Sequence, residues 1–128
     1  MEDVPGRGQV ILAVDDEPQV LAALEEMLAT LGYEPAGFAD SLAALEAVRA
    51  DPQRFEAVVS DEVMPQLTGT QLAVELRRLS PALPIVIASG YGGAGFETRA
   101  LSAGVNRVLR KPYRMAELGE TLSGLLAK

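Results

Sequence analysis

Apolar positions along the chain fall into two alternating patterns, short unbroken runs and longer stripes at helical spacing. Val10–Val14 reads VILAV, a run with no polar interruption, as expected of a strand covered on both faces. Asp15, Asp16, Glu17 and Pro18 break it. Val20, Leu24, Met27, Leu28 and Leu31 then recur at intervals that place them on one face of an amphipathic helix. Asp16 is expected to cap that helix, Pro18 suits its first turn, and Gly32 ends it.

The same unit repeats. Tyr33–Ala39 reads as a short strand, and Asp40 or Ser41 opens a helix that runs to about Ala50 and stops at Asp51-Pro52. Phe55–Ser60 is a third strand, leading into Asp61. The turn Met64-Pro65-Gln66-Leu67 precedes a helix from about Gly69 to Leu79, whose start carries a capping box, Thr68 with Gln71. Ile85–Ala88 is a fourth strand, followed by glycine-rich 90–95 and a short helix over about Phe96–Ala103. Val105–Arg110 is a fifth strand. Arg114–Ala127 closes as a helix with Met115, Leu118, Leu122 and Leu125 inward.

Repeated strand–helix units call for a parallel sheet with right-handed crossovers and helices on both faces. Pro35 removes a ladder donor from the second strand and sends it to an edge. Asn106, Arg107 and Arg110 make the fifth strand too polar for the centre. The apolar first, third and fourth strands belong inside. The expected fold is therefore α/β, a flavodoxin-like doubly wound (βα)5 with parallel sheet order 2-1-3-4-5. One domain spans residues 9–127, and residues 1–8 read as a flexible linker or tag remnant.

Composition narrows the chemistry. With 48% hydrophobic residues the chain can build a core without staples, and it has no cysteine, which excludes disulfides and thiolate metal sites and fits a reducing cytoplasm. It also has no histidine, so a phosphoryl group carried on histidine must come from another protein. The net charge of −7 argues against nucleic acid or an anionic membrane surface as partner. No apolar run approaches the length of a signal core or a membrane span.

In doubly wound folds ligands sit beyond the carboxyl ends of the strands. The first strand ends in Asp15 and Asp16, the third in Asp61, the fourth in Ser89 and the fifth in Lys111. Singly, each has a plainer reading: a helix cap, a turn residue, a loop hydroxyl, a solvated charge. Together they form an acidic pocket. Converging carboxylates repel unless a cation joins them, and few oxygen ligands in a shallow pocket favour Mg²⁺ over Ca²⁺. Metal and Lys111 would then cradle one oxygen of Asp61, making it a candidate nucleophile for phosphoryl transfer, with Ser89 and a backbone N–H holding a further phosphoryl oxygen.

VDDEP at 14–18, SDEVMP at 60–65, ASGY at 88–91 and the pair Lys111-Pro112 together resemble the receiver domain of bacterial two-component response regulators. The resemblance covers about residues 9–127. It implies that Asp61 is phosphorylated from the phosphohistidine of a histidine kinase or histidine phosphotransfer protein. It implies that Asp16 and Asp61 bind Mg²⁺ directly with the carbonyl of Val63, that Asp15 acts mostly through water, and that Ser89 and Lys111 hold the phosphoryl group. The Lys111-Pro112 bond is often cis in the family. Such a chain is a self-phosphorylating acceptor with slow autophosphatase activity, not a turnover enzyme.

Leu21 and Ala22 fall outside the inward stripe of the first helix and are expected to face a kinase or phosphotransfer helix. Receivers that drive an output usually carry Tyr or Phe three residues before the lysine, and here that residue is Val108. Val108, the glycines of 90–95 and the absence of an effector region before Lys128 fit a relay or phosphate sink, and the SGY and RKPY segments resemble receivers attached to hybrid sensor kinases. Val63 and Tyr91 flank the approach to Asp61 and offer no carboxylate or amide to orient water, so slow self-hydrolysis is expected. The competing classes are a phosphorylation-independent pseudo-receiver, which should have lost part of the constellation, and a Mg²⁺ phosphohydrolase, which needs a general acid that Val63 does not supply.

Overall fold

The computed structural model describes residues 4–90 and 95–127. Strands and helices alternate: β1 (Val10–Val14), α1 (Pro18–Thr30), β2 (Glu34–Phe38), α2 (Ser41–Ala50), β3 (Ala57–Asp61), α3 (Gly69–Leu79), β4 (Ile85–Ser89), α4 (Phe96–Ser102), β5 (Arg107–Arg110) and α5 (Met115–Leu126). The strands form one sheet in the order β2-β1-β3-β4-β5, every pairing parallel. The expected topology and order are both present, with Pro35 on the edge strand β2. The boundaries differ by one or two residues: β3 starts at Ala57 and takes in Asp61, and β4 takes in Ser89.

Period-two alternation splits the core into two layers. Leu12 and Val14 of β1, with Val58, Ile85 and Ile87, face α2, α3 and α4. Ile11 and Ala13, with Ala57, Val59, Val86 and Ala88, face α1 and α5. Leu28, Leu72, Leu76, Leu118 and Leu122 are fully buried, each stabilising the packed helices by about 1.5–3 kcal/mol. Among the described residues no helix is long and apolar enough to cross a membrane.

Several local expectations are corrected. Asp16 does not cap α1: Glu17 holds the cap position without a side-chain bond, and its amide donates to Oδ1 of Asp15 at 3.0 Å. Met115 is exposed, because α5 turns its first residue outward and buries Leu118 and Leu122 instead. In the stripe of α1, Leu24, Leu28 and Leu31 are buried while Val20 and Met27 are half-buried; Leu21, expected outside, packs against the α1/α5 core layer. The α3 capping box of Thr68 and Gln71 forms as expected. In the stretch set apart as a linker, the amides of Gly6 and Gly8 each donate at 2.8 Å, to the carbonyls of Leu31 and Gly32.

At the amino end of the sheet, one side chain gathers several loops. The Arg77 guanidinium, from the last turn of α3, donates to the carbonyls of Pro81 (2.8 Å), Leu83 (2.7 Å) and Gly104, and to Oδ1 of Asn106 (3.0 Å). The same Asn106 oxygen accepts from the amide of Ile85 at 2.8 Å, tying the start of β4 into the cluster. Burial holds Arg77 below the usual arginine range.

Candidate functional site

The opposite end of the sheet collects the chemistry. Register sets Val14 beside Ser60, Asp61 beside Ala88, and Ser89 beside Arg110. The residues at or just past these strand tips, Asp15, Asp16, Asp61, Ser89 and Lys111, therefore share one rim. One carboxylate oxygen from each of Asp15, Asp16 and Asp61 lies within 4.8 Å of the others. The Lys111 ammonium donates to Oδ1 of Asp61 at 2.8 Å and stands 3.6 Å from Oδ2 of Asp15. Ser89 is buried, and its carbonyl accepts from the Lys111 amide at 2.9 Å. The Lys111-Pro112 peptide is cis.

Charge shapes the groups here. Burial raises the Asp15 carboxyl above its usual range; the Glu17 amide and Lys111 oppose this, while the Asp61 and Asp16 charges add to it. Burial by itself would lower Lys111, but the hydrogen bond and charge of Asp61, with the charge of Asp15, outweigh it and hold the ammonium above the usual lysine range. When all are ionised, three carboxylates against one ammonium leave two surplus negative charges, the charge of one divalent cation. An all-oxygen donor set, partly open to water, suits a hard cation such as Mg²⁺. The residues present fit that ion.

The loop leaving Asp61 is closely tied at its base. The Glu62 amide donates to the carbonyl of Ala88 at 3.1 Å, and the Glu62 carbonyl accepts from the Gly69 amide at 2.9 Å. Its carboxylate Oε1 accepts from the amide of Thr70 at 2.8 Å and from the hydroxyl of Thr70 at 2.7 Å. A Cβ at Gly69 would collide with the carbonyl oxygen of Asp61, so only glycine lets α3 start this close to the sheet. Between these anchors, Val63 is 70% exposed at the rim, and Gln66 takes the positive φ of 71° that turns the chain back. Tyr91 lies outside the described residues.

Two depressions adjoin the rim. A polar hollow of about 220 Å³ is bounded by Asp16, Asp40, Ser41, Pro65 and Gln66. A mainly apolar groove of about 370 Å³ runs from Lys111 between α1 and the start of α5, lined by Val20, Ala23, Met27, Pro112 and Tyr113. Leu21 and Ala22 do not line it. The groove escaped the sequence reading because Val20 and Met27 carry the same apolar signal as true core residues. Glu62 escaped because nothing in its spacing tells a tethered glutamate from a solvated one. Arg107, Arg110 and Arg114, the other basic residues near Lys111, are all exposed.

Comparison with known proteins agrees with this geometry. Residues 11–123 match the model of the response regulator receiver domain. The transcriptional regulatory protein PrrA of Mycobacterium tuberculosis is 34% identical over 118 residues, which cover 92% of this chain and 50% of that protein. The chain thus spans about half the length of that protein. The receiver domain of a sensor histidine kinase from Pseudomonas aeruginosa, solved with a magnesium ion coordinated in its active-site cleft, is 32% identical with a TM-score of 0.84, covering 94% of this chain and 99% of that one. A receiver domain from Clostridium thermocellum superposes with a TM-score of 0.88 at 24% identity, covering 92% and 94% of the two chains, a likeness of fold.

Proposed function

We propose, from the premise that this chain belongs to the response regulator receiver domain family, that it serves two-component signalling by accepting a phosphoryl group on Asp61. The observation that carries this reading is the Lys111 ammonium seated 2.8 Å from the Asp61 carboxylate inside a cluster of three aspartates. A carboxylate oxygen of Asp61 attacks the phosphorus of a phosphohistidine on a histidine kinase or phosphotransfer protein. The new P–O bond forms as the P–N bond breaks, and the imidazole nitrogen leaves with the bonding pair and takes up a proton. Lys111 holds one equatorial oxygen, and Ser89 with a backbone N–H of the loop after Asp61 holds another. Asp16, Asp61 and the Val63 carbonyl, with Asp15 nearby, are the groups that would hold Mg²⁺, which would supply the remaining neutralisation of charge. The groove beside Lys111 suits the apolar face of the donor's helix, which adds Val20, Ala23 and Met27 to Leu21 and Ala22 as docking candidates on α1.

Half-buried Val108 has no ring to swing and no hydroxyl to bond, which favours a relay or phosphate sink over a switch that drives an output. Transfer of the phosphoryl group from Asp61 onward to a phosphotransfer histidine is the observation that tests this. Val63 offers no group to orient water, so the acyl phosphate is long-lived; a lifetime of seconds in the purified protein contradicts that.

The founding experiment is incubation with Mg²⁺ and a small acyl- or amido-phosphate, read by intact mass. The wild type gains one phosphoryl group and Asp61→Asn gains none. Equal gain by both variants overturns the assignment of Asp61, and no gain by the wild type leaves a phosphorylation-independent binding module.

A further inference from the structure

We propose that Glu62 is a positioning residue for the phosphoacceptor site, a role that rests on the receiver reading above and deepens it. Glu62 sits between the acceptor Asp61 and Val63, the residue whose carbonyl faces the cation in that reading. Its amide, its carbonyl and one carboxylate oxygen, however, are committed elsewhere. The amide goes to Ala88 on β4, the carbonyl takes the Gly69 amide, and Oε1 takes both the amide and the hydroxyl of Thr70. One residue thus joins β3, β4 and the first turn of α3.

The choice of a carboxylate has a physical reason. The first turn of a helix leaves amides without intrahelical partners and carries partial positive charge. Here the Gly69 and Thr70 amides go to Glu62, and the Gln71 amide goes to the Thr68 hydroxyl at 3.1 Å. Thr68 is a cap of the usual local kind and touches nothing in the cluster of aspartates. Glu62 caps the same helix from the strand that carries Asp61. Without its side chain, the far part of the loop stays held by the Ser41 hydroxyl, which bonds the Pro65 carbonyl and the Leu67 amide, and by buried Met64. The side-chain tie from the residue after Asp61 to the first turn of α3 is gone, however, and the backbone beside the acceptor loses that constraint. Groups that orient the ligands of a metal site typically alter affinity by 10- to 100-fold when removed.

The test compares Glu62→Ala, Glu62→Gln, Thr70→Val and, as control, Thr68→Ala. Magnesium affinity is measured by calorimetry, thermal stability by melting, and amide exchange over residues 63–67 without the metal. Glu62→Ala should weaken Mg²⁺ binding by about tenfold, at the low end of that range, slow phosphoryl uptake and speed exchange across the loop. Glu62→Gln keeps an acceptor oxygen and should recover most of the affinity. Thr70→Val removes one bond and should shift affinity less, in the same direction, which keeps the question open to measurement even if Glu62→Ala folds poorly. Thr68→Ala should melt lower while binding Mg²⁺ as the wild type does.

If Glu62→Ala and Thr68→Ala both melt lower and both keep wild-type affinity, Glu62 is only a cap and the proposal is overturned. A wild type that binds no Mg²⁺ and takes up no phosphoryl group overturns the receiver reading itself, a result distinguishable from the first.

Discussion

Two cations mark the two ends of the sheet, and their partners differ in kind. Lys111, at the carboxyl end, is held by two carboxylates and sits above its ordinary titration range. Arg77, at the amino end, is held by carbonyls and an amide oxygen, and burial pushes it below its range. Among the described residues no carboxylate lies within ion-pair distance of Arg77. Neutral acceptors fix a guanidinium in place without creating any demand for a further charge. Around Lys111 the anions outnumber the cation, and that surplus is what an incoming dication and phosphoryl group would meet. One end is closed, the other is poised.

That contrast makes definite demands. The largest effect belongs to Lys111→Met: phosphoryl uptake from a small donor should fall by about 10²–10³, as when one preorganised donor to developing charge is lost. Uptake at the wild-type rate would show that the ammonium is structural like Arg77. Next comes Arg77→Met, which leaves several carbonyls without a charged donor and should cost about 2–3 kcal/mol in denaturant unfolding, while uptake stays within about threefold because the ends are independent. A loss of uptake without a loss of stability would collapse the distinction.

Asp15→Asn should act more mildly and in two directions. Removing one of three crowded charges should raise metal-free stability by about 1 kcal/mol, yet shrink the upward melting shift that Mg²⁺ gives the wild type. The smallest effect concerns Tyr33, a buried hydroxyl with no hydrogen-bond partner. Burial raises its pKa above the ordinary 10.0. The unfolded chain therefore ionises first, and stability is lost as pH rises from the ordinary value through the raised one. Tyr33→Phe should be neutral to about 1 kcal/mol stabilising at pH 7 and should flatten the alkaline part of the unfolding curve. A clear destabilisation would reveal a partner for the hydroxyl.

Legibility in the sequence followed the same division. Strand order could be read because Pro35 and the polar residues of β5 are tolerated at edges and not at the centre. Asp15, Asp16, Asp61 and Lys111 could be read because charges directly after apolar runs must gather where the strands end. Arg77 could not, since its acceptors are mostly main-chain carbonyls, which every residue possesses. The cap of α1 was misread for a related reason: Asp16 has the right residue type, but Asp15 supplies the oxygen that takes the Glu17 amide, and Asp16 contributes its carboxylate to the cluster. The groove beside Lys111 stayed hidden because an apolar side chain lining a cleft and one lining a core are identical on paper.

Gly69 has a practical consequence for anyone stabilising the protein. It lies at a helical position with ordinary backbone angles, where alanine is normally the better residue, so engineering by helix propensity would select it for replacement. The added methyl would instead press on the Asp61 main chain and push strand and helix apart at the acceptor. Selection for heat tolerance and selection for phosphate uptake should therefore both keep glycine at this codon, against the ranking by helix propensity.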